Sequence, residues 1–293
     1  MRFGAKVAIG NGMNKRYLRF GGQLVSLHRP MVMGILNITS DSFFDGGRYV
    51  NQESLAVRIR EMVEQGADIL DIGGMSTRPG AKPCSVHEET EAVMLGLEVV
   101  RSLGVSIPIS IDTYRAEVAE VALKNGGQLI NDVSGGQWDP DLWKMVAKHQ
   151  VPYVLTHAQG TPQTMQQAPH YTDVVREVTQ ELHQKLKKLY GLGVMDVLVD
   201  PGFGFGKTLT HNYALLHQLP FIQQILDAPL LIGVSRKRMI QEVCKLPAAE
   251  VLPGSIAAAT LAMVGGASIL RVHDVKETVQ AVAVFEAYRT HPG

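Results

Sequence analysis

The stretch VMGILNITSDSFFDGG (32–47) sets the pattern of the chain: a short apolar strand, then a loop rich in Gly, Asp and Ser. A segment with helical spacing follows, in which Leu55, Ile59 and Met62 form one apolar stripe. The cycle then repeats, and its strands are short and apolar on both faces, which is typical of parallel strands covered by helices. The eight strand candidates are VMGILNI (32–38), DILDIG (68–73), PISID (108–112), LIND (129–132), PYVLTH (152–157), DVLVD (196–200), PLLIGVS (229–235) and SILRVH (268–273).

Eight strand–helix units in about 260 residues match the count and the size of a (β/α)8 TIM barrel, which is the fold we predict. An open, doubly wound α/β sheet is the alternative, because a sequence alone does not show that a sheet closes. The GxGxxG motif common in that alternative does not follow the first strand.

The first thirty residues do not follow the cycle. The segment LRFGGQLVSL (18–27) has the pattern of a β-hairpin with glycines at its turn. We expect this hairpin to cover the N-terminal mouth of the barrel. The predicted organisation is therefore an extension with a hairpin over residues 1–30 and a barrel over residues 31–293.

Composition limits the function classes. The chain has 28 Lys and Arg residues against 28 Asp and Glu residues, so we expect no nucleic-acid partner and no membrane surface as partner. Only Cys84 and Cys244 are present, without a CxxC motif, which argues against a disulfide scaffold and a Cys-ligated zinc site. No apolar run reaches the roughly 18 residues of a membrane span. With no clear signal peptide at its start, we expect the protein in the cytoplasm.

Polar residues stand at the C-terminal end of nearly every predicted strand. In a (β/α)8 barrel these positions converge on one rim, where active sites are built. Helix capping explains single Asp, Asn or Ser residues there, but it does not explain cationic residues in the same ring. The residues at or just after these strand ends are Asn37, Ser76-Thr77-Arg78, Asp112, Asn131-Asp132, His157, Asp200, Ser235-Arg236-Lys237, and Arg271 with His273.

These residue types suit an aromatic heterocycle beside an anion. The carboxylates of Asp112 and Asp200 and the amide of Asn131 can bind the amino and ring N–H edge of a flat heterocycle. The planar guanidinium of Arg271 can stack on such a ring or, with His273, bind a phosphate. Both residues finish the last predicted strand, and the loops after strands seven and eight are frequent phosphate sites in barrels of this kind.

Three loops stand out between the strands and helices. The loops TSDSFFDGGRYV (39–50) and GGMSTRPGAKPCS (73–85) are long and lack helical or strand periodicity, which is typical of mobile lids at a barrel rim. The segment DPGFGFGKT (200–208) places glycines beside Phe205, so that the backbone can approach a ligand closely. It lacks the Walker spacing of a phosphate loop.

Seven motifs together resemble the dihydropteroate synthase family of pterin-binding enzymes. They run in order from about residue 31 to residue 286, and the ordered set is far more specific than any one of them. They are MGILNITSDSFFDGG, GADILDIGGMSTRPGA, SIDTYRAEVA, LINDVSGG, DPGFGFGKT, GVSRK and ILRVHDVKET.

The resemblance implies a barrel, a homodimer and a reaction with Mg²⁺. The reaction joins 6-hydroxymethyl-7,8-dihydropterin diphosphate to 4-aminobenzoate and releases pyrophosphate. It also implies a dissociative mechanism, in which the dihydropterin expels pyrophosphate and the aniline nitrogen captures the resulting cationic methylene. Asp112 and Asp200 would stabilise the developing positive charge, while Mg²⁺, Arg271 and His273 would stabilise the leaving anion.

The family's site residues transfer to matching positions of this sequence. The implied catalytic residues are Asp45, Asp112, Asp200 and Lys237. The implied pterin pocket is Asp112, Asn131, Asp200, Lys237 and Arg271. The implied diphosphate site is Asn37, Thr77, Arg271 and His273, with Asn37 also at the magnesium ion. The implied 4-aminobenzoate site is Thr77, Arg78, Pro79, Phe205, Lys237 and Arg238.

Five positions depart from the family's usual residues. Ser40 replaces a common proline, Met75 a common Glu, and Arg238 a frequent small Ser, while Thr156 and Ala158 stand where Met is common. The first two changes affect the lid loops, and the Thr156 and Ala158 changes affect the apolar wall of the implied pterin pocket. Arg238 leaves the contact with the aminobenzoate carboxylate open, and with it any sulfonamide response.

Other functions share parts of this pattern. A methyltransferase that uses methyltetrahydrofolate has a pterin-binding barrel but needs neither the STRPG loop nor the SRK motif. A Schiff-base aldolase could use Lys237, with Arg236 and Arg238 lowering its pKa. It would not need an Arg–His anion pair beside an Asp and Asn pocket. A non-catalytic pterin-binding paralogue is the last alternative.

Overall fold

The computed structural model describes residues 17–38, 47–75, 84–160 and 169–291, and the side chains of residues 47–51 lie outside this description. The first element is an antiparallel hairpin of β1 (Tyr17–Phe20) and β2 (Gln23–Ser26), in which Tyr17 pairs with Ser26 and Phe20 with Gln23. The predicted hairpin is thereby confirmed. Its turn consists of Gly21 and Gly22, both with positive φ, a conformation that glycine adopts without strain.

Eight parallel strands follow: β3 (Met31–Asn37), β4 (Ile69–Gly73), β5 (Ile109–Asp112), β6 (Leu129–Asp132), β7 (Tyr153–Thr156), β8 (Val197–Asp200), β9 (Leu230–Ile232) and β10 (Ala267–Val272). They form a closed barrel in the order β10-β3-β4-β5-β6-β7-β8-β9. Because β10 pairs with both β3 and β9, the sheet has no edge and the doubly wound alternative is excluded.

Helices alternate with these strands, as the apolar stripes predict. Their ends follow local rules: Ser85 begins one helix with a capping box, in which its hydroxyl accepts from Glu88 N (3.2 Å) and Glu88 Oε2 accepts from Ser85 N (2.8 Å). The helices are α1 (Gly47–Glu64), α2 (Val86–Ser102), α3 (Ala116–Lys124), α4 (Leu142–His149), α5 (Val174–Gly191), α6 (Leu209–His217), α7 (Leu219–Leu226), α8 (Arg238–Cys244), α9 (Leu252–Val264) and α10 (Val275–Thr290).

The strand boundaries agree with the sequence prediction to within one residue, except at β9. The predicted strand covers 229–235, whereas β9 ends at Ile232. The chain leaves the sheet at Gly233 and turns, with Lys237 N donating to Val234 O at 3.2 Å. Val234 continues the apolar pattern of the strand into this turn, so no change of residue type marks the end of the strand at Ile232.

The apolar core has two parts. The larger part lies between the outer face of the barrel and the helices, as in other (β/α)8 folds. The smaller part lies inside the barrel, where Leu18 and Phe20 of the hairpin pack on inward-facing strand residues such as Met33 and Ile69. The hairpin therefore covers the N-terminal mouth, as expected, and the barrel opens at the other end.

Candidate active site

Polar side chains form a layer above this inner apolar core, at the C-terminal ends of the strands. The register aligns Asn37 with Gly73, Gly73 with Asp112, and Asp112 with Asn131 across four neighbouring strands. A Cβ at Gly73 would lie only 3.3 Å from Asn37 Oδ1 and 3.4 Å from Asp112 Cβ. The glycine thus leaves room for the two site residues on either side of it.

Arg271 is the cation at the centre of this layer. Its Nε donates to Asp71 Oδ2 and its Nη2 to Asp112 Oδ2, both at 2.6 Å. The side chain of Arg271 is 20% exposed, whereas that of Asp71 is fully buried. Although burial disfavours the charged form, Asp71 and Asp112 hold the pKa of Arg271 above its ordinary value. The guanidinium is therefore a fixed positive charge in the barrel mouth.

Asp71 is the site residue that sequence reasoning missed. Besides Arg271, its carboxylate accepts from Ser110 Oγ (2.5 Å) and from Asn131 Nδ2 (3.0 Å), so it orients two predicted site residues at once. A signal was present in the sequence: Asp71 shares the inward parity of Ile69, and an acidic residue inside an apolar strand needs a buried cation. The sequence did not identify Arg271 as that cation, because the two residues lie 200 positions apart in the chain.

The two predicted pterin carboxylates are buried and carry raised pKa values. Burial raises the pKa of Asp112, although the Arg271 cation opposes this. Burial also raises the pKa of Asp200, and here Lys237 is the main opposing charge. Asp200 Oδ1 accepts from Gly202 N at 2.7 Å, which fixes the carboxylate at the end of β8. Each carboxylate is thus held by a partner through one oxygen, Asp112 by Arg271 and Asp200 by Gly202 N.

Lys237 lies at the start of α8, beside the loop that follows β8. Its Nζ donates to Phe203 O and lies 4.7 Å from the centre of the Phe205 ring. Burial lowers the pKa of Lys237 to about 8, with Asp200 acting in the opposite direction. The structure therefore brings Lys237 and Phe205 together on one side of the acidic pocket.

The neighbouring arginines contact other groups. Arg236 binds Asp274 with two hydrogen bonds (Nε to Oδ2, 2.8 Å; Nη2 to Oδ1, 2.7 Å), and Arg238 Nε donates to Glu242 Oε1 at 2.5 Å. The suggestion that these arginines lower the pKa of Lys237 is not supported, because burial is the main cause. The Arg238 side chain is 79% exposed, so its part in binding aminobenzoate stays a prediction.

The remaining described site residues lie around the rim. Asn37 is exposed at the end of β3. His273 follows β10, and its Nδ1 lies 3.1 Å from Ser235 Oγ, next to the turn that leads to Lys237. Thr156, on the rung beside Asp200, and Ala158 are both buried, and Met75 is half-buried. Ser40, Asp45, Thr77, Arg78 and Pro79 lie outside the described residues.

The residues at the rim fit one mode of magnesium binding. Within the described ranges no cluster of three His, Cys, Asp or Glu side chains could hold a metal ion. Mg²⁺ often takes only one or two protein oxygens and completes its shell with substrate phosphate and water. Asn37 is exposed at the end of β3, the strand that pairs with β10, which carries Arg271, and its amide oxygen suits that mode.

Comparisons of the sequence with known proteins identify the family. The family model described as "Pterin binding enzyme" matches residues 33–273. Dihydropteroate synthase of Escherichia coli K12 is 42% identical over 91% of this chain and 94% of the relative. The mitochondrial folate synthesis bifunctional protein of Arabidopsis thaliana is 39% identical over 98% of the chain, which spans 54% of that relative's length.

Solved structures of dihydropteroate synthases have the same fold as this chain. Dihydropteroate synthase of Xanthomonas albilineans with 4-aminobenzoic acid is 40% identical, with a TM-score of 0.86, over 94% of this chain and 99% of that one. The same enzyme in complex with 7,8-dihydropteroate has a TM-score of 0.83 at 38% identity, over 94% and 100% of the two chains.

Among the described helices, none combines the length and the apolarity that crossing a bilayer needs.

Proposed function

The chain belongs to the dihydropteroate synthase family of pterin-binding enzymes, and from that membership we propose its activity. It condenses 6-hydroxymethyl-7,8-dihydropterin diphosphate with 4-aminobenzoate, giving 7,8-dihydropteroate and pyrophosphate. The proposal rests on one observation above all: Asp112, Asn131 and Arg271 meet around the buried carboxylate of Asp71 at the open mouth of the barrel.

The pterin binds in the acidic pocket of this proposal. The dihydropterin ring carries an amino group and ring N–H groups along one edge, and these donate to Asp112, Asp200 and the carbonyl oxygen of Asn131. Because Asp71 already accepts from Asn131 Nδ2, the amide is held with its oxygen free for the ligand. The ring then lies beside Arg271, whose guanidinium stays charged at every physiological pH.

The reaction breaks the C–O bond between the pterin methylene and the diphosphate and forms a C–N bond to the aniline nitrogen. Positive charge develops on the pterin as pyrophosphate leaves, and the carboxylates of Asp112 and Asp200 stabilise it. Arg271, His273 and Asn37 bind the departing anion. The aniline nitrogen then loses one proton to solvent or pyrophosphate, so no covalent enzyme intermediate is needed.

Magnesium is part of the proposal as the cofactor. When bound to the diphosphate, it would neutralise charge on the leaving group. Asn37 would be its protein ligand, and Asp45 would join the closed site. Thr77, Arg78, Pro79, Phe205, Lys237 and Arg238 would bind 4-aminobenzoate, with Lys237 shared between the two substrates.

We further propose that the protein acts in the cytoplasm as a homodimer. Large apolar side chains are exposed on the adjacent helices α9 and α10, where Leu261, Val264, Val284 and Tyr288 are each more than half exposed. Such a patch is typical of a protein–protein interface. The molar mass in solution tests this, and a monomer at micromolar concentration would contradict it.

A coupling assay tests the activity. Purified protein receives the pterin diphosphate and 4-aminobenzoate, with and without Mg²⁺, and pyrophosphate and dihydropteroate are measured. We expect equal amounts of both products, formed only when both substrates and Mg²⁺ are present. The aldolase alternative predicts instead a covalent adduct at Lys237 after borohydride treatment with a carbonyl substrate.

A further inference from the structure

Lys207 is a buried lysine that the proposed reaction does not use. It follows the glycine-rich loop 201–206 and is 4% exposed. Its ammonium lies within hydrogen-bond distance of Gly202 O (2.9 Å), Phe205 O (3.1 Å), His157 O (3.3 Å) and His157 Nδ1 (3.0 Å). Three carbonyl oxygens and one imidazole nitrogen thus face a single ammonium, which has three donors. Burial lowers the pKa of Lys207 to about 7, and the Asp200 carboxylate acts in the opposite direction.

His157 connects this ammonium to helix α5. The imidazole is buried, and its Nε2 lies 3.2 Å from Glu181 Oε2. Because Nδ1 accepts from the Lys207 ammonium, the ring proton is assigned to Nε2, which donates to the Glu181 carboxylate. Burial lowers the pKa of His157, which keeps the ring neutral and Nδ1 free to accept. Glu181, His157 and Lys207 thus form a continuous carboxylate–imidazole–ammonium chain.

The loop around Lys207 is closely packed on the segment that follows β7. Gly202 and Gly206 both have positive φ (+76° and +65°). A Cβ at Gly202 would lie 1.8 Å from His157 O, and one at Gly206 would lie 2.6 Å from Gln159 O. Only glycine allows this approach, which turns the carbonyls of Gly202 and Phe205 towards Lys207.

The same loop contacts Lys237. Phe203 O accepts from Lys237 Nζ, and the Phe205 ring lies 4.7 Å from that nitrogen. The carbonyls of Gly202 and Phe205 bind Lys207 instead. Two lysines therefore bind carbonyls of one six-residue loop, and only Lys237 belongs to the proposed substrate site.

We propose that Lys207 is a positioning residue: its ammonium, held by the Glu181–His157 pair, fixes loop 201–206 so that Phe205 and Lys237 form the aminobenzoate side of the site. This inference rests on the proposed function. It predicts a larger defect for aminobenzoate than for the pterin. Asp112, Asn131 and Arg271 of the pterin pocket are held by Asp71 on other strands, and the loop reaches that pocket only through Asp200, whose carboxylate accepts from Gly202 N, and through Lys237.

The test compares three variants with the unmodified protein. Lys207→Met keeps the length of the side chain and removes the charge, and Glu181→Gln weakens the support of His157 from a partly exposed position. Lys187→Met, at an exposed position of α5, is the matched control. The KM for 4-aminobenzoate, kcat, the Kd for the pterin diphosphate by calorimetry and the melting temperature are measured for each.

We expect Lys207→Met to raise the KM for aminobenzoate on the order of tenfold, since small displacements of positioned groups have effects of this size or larger. The Kd of the pterin diphosphate should rise by no more than about threefold, because only Asp200 and Lys237 of that pocket contact the loop. Glu181→Gln should raise the same KM about threefold, the size expected for weakening one partly exposed hydrogen bond. Lys187→Met should change nothing.

Two outcomes would overturn the inference. One is an equal loss of aminobenzoate and pterin binding, which would assign Lys207 to general stability. The other is an unchanged KM in Glu181→Gln, and this variant decides the matter if Lys207→Met does not fold. If the unmodified protein makes no dihydropteroate, the proposed function fails instead, so the two failures are distinguishable.

Discussion

The two ends of the barrel interior differ in what holds them together. At the N-terminal end, Leu18 and Phe20 of the hairpin pack against inward apolar side chains such as Met33, and stability there comes from buried area. At the C-terminal end, Asp71, Asp112 and Arg271 form buried ion pairs, which add little net stability because desolvation opposes them. The N-terminal end thus contributes most of the stability of the barrel interior, and the C-terminal end provides the charged groups of the candidate site.

The largest effect that separates the two ends is the loss of a pocket carboxylate. Asp112→Asn should lower kcat/KM by about 10²- to 10³-fold, because the carboxylate stabilises charge that develops only in the transition state. The melting temperature should change little, since Arg271 still forms its ion pair with Asp71. Pyrophosphate release is the measurement, and Asp141→Asn, at an exposed aspartate, is the control. Unchanged release in Asp112→Asn would remove this residue from the mechanism.

The reverse effect is expected at the hairpin. Leu18→Ala should lower the free energy of unfolding by about 3 kcal/mol, because it removes a fully buried side chain from the inner core. Leu24→Ala, at an exposed position of the same hairpin, should change it by no more than about 0.5 kcal/mol. Chemical denaturation measures both. A change of more than threefold in kcat/KM of folded Leu18→Ala would show that the two ends are not independent.

A smaller effect is expected within the open end itself. Arg78→Ala should raise the KM for 4-aminobenzoate about tenfold, the size of one lost charged hydrogen bond, and should leave the Kd of the pterin diphosphate nearly unchanged. Steady-state kinetics and calorimetry measure the two constants. Equal losses of both would contradict the assignment of Arg78 to the aminobenzoate site.

The smallest effect concerns pH. Burial lowers the pKa of Lys237 to about 8, so its ammonium is present below that pH and is lost as pH rises through it. The kcat/KM for aminobenzoate should therefore fall about twofold at pH 8 and further above it. Leu18→Ala should keep this profile, because the hairpin does not contact Lys237. In Lys237→Arg, the part of the decline centred near pH 8 should disappear, and an unchanged decline would assign all of it to Lys207, whose pKa burial lowers to about 7.

The fold could be predicted from sequence because its signals are local. Apolar runs of four to seven residues, polar residues at their ends and the glycine turn of the hairpin each occupy a short segment, and all appear in the structure. The convergence of Asp112, Asn131, Asp200 and Arg271 at one mouth also followed, since barrel topology places all strand ends at one rim.

The parts that escaped prediction depend on distant partners. Asp71 shows its need for a buried cation only by its position inside an apolar strand, and its hydrogen-bond partners come from β5, β6 and β10. Arg236 was considered as a charge acting on Lys237, but it binds Asp274, 38 positions away. The contacts of Lys207 with His157, 50 positions away, were equally invisible. Such pairings depend on the closed barrel, and no short segment encodes them.

The hairpin over the N-terminal mouth also affects the order in which substrates can bind. With that mouth closed by apolar side chains, both substrates and both products pass through the same opening. Asp112 and Asn131 are buried, whereas rim residues such as Asn37 are exposed, so a ligand bound at the rim blocks the entry of a second ligand to the pocket. For the proposed reaction we therefore expect the pterin diphosphate to bind first and 4-aminobenzoate second. An inhibitor that occupies only the rim should then retain the bound pterin, and its potency should rise with pterin concentration.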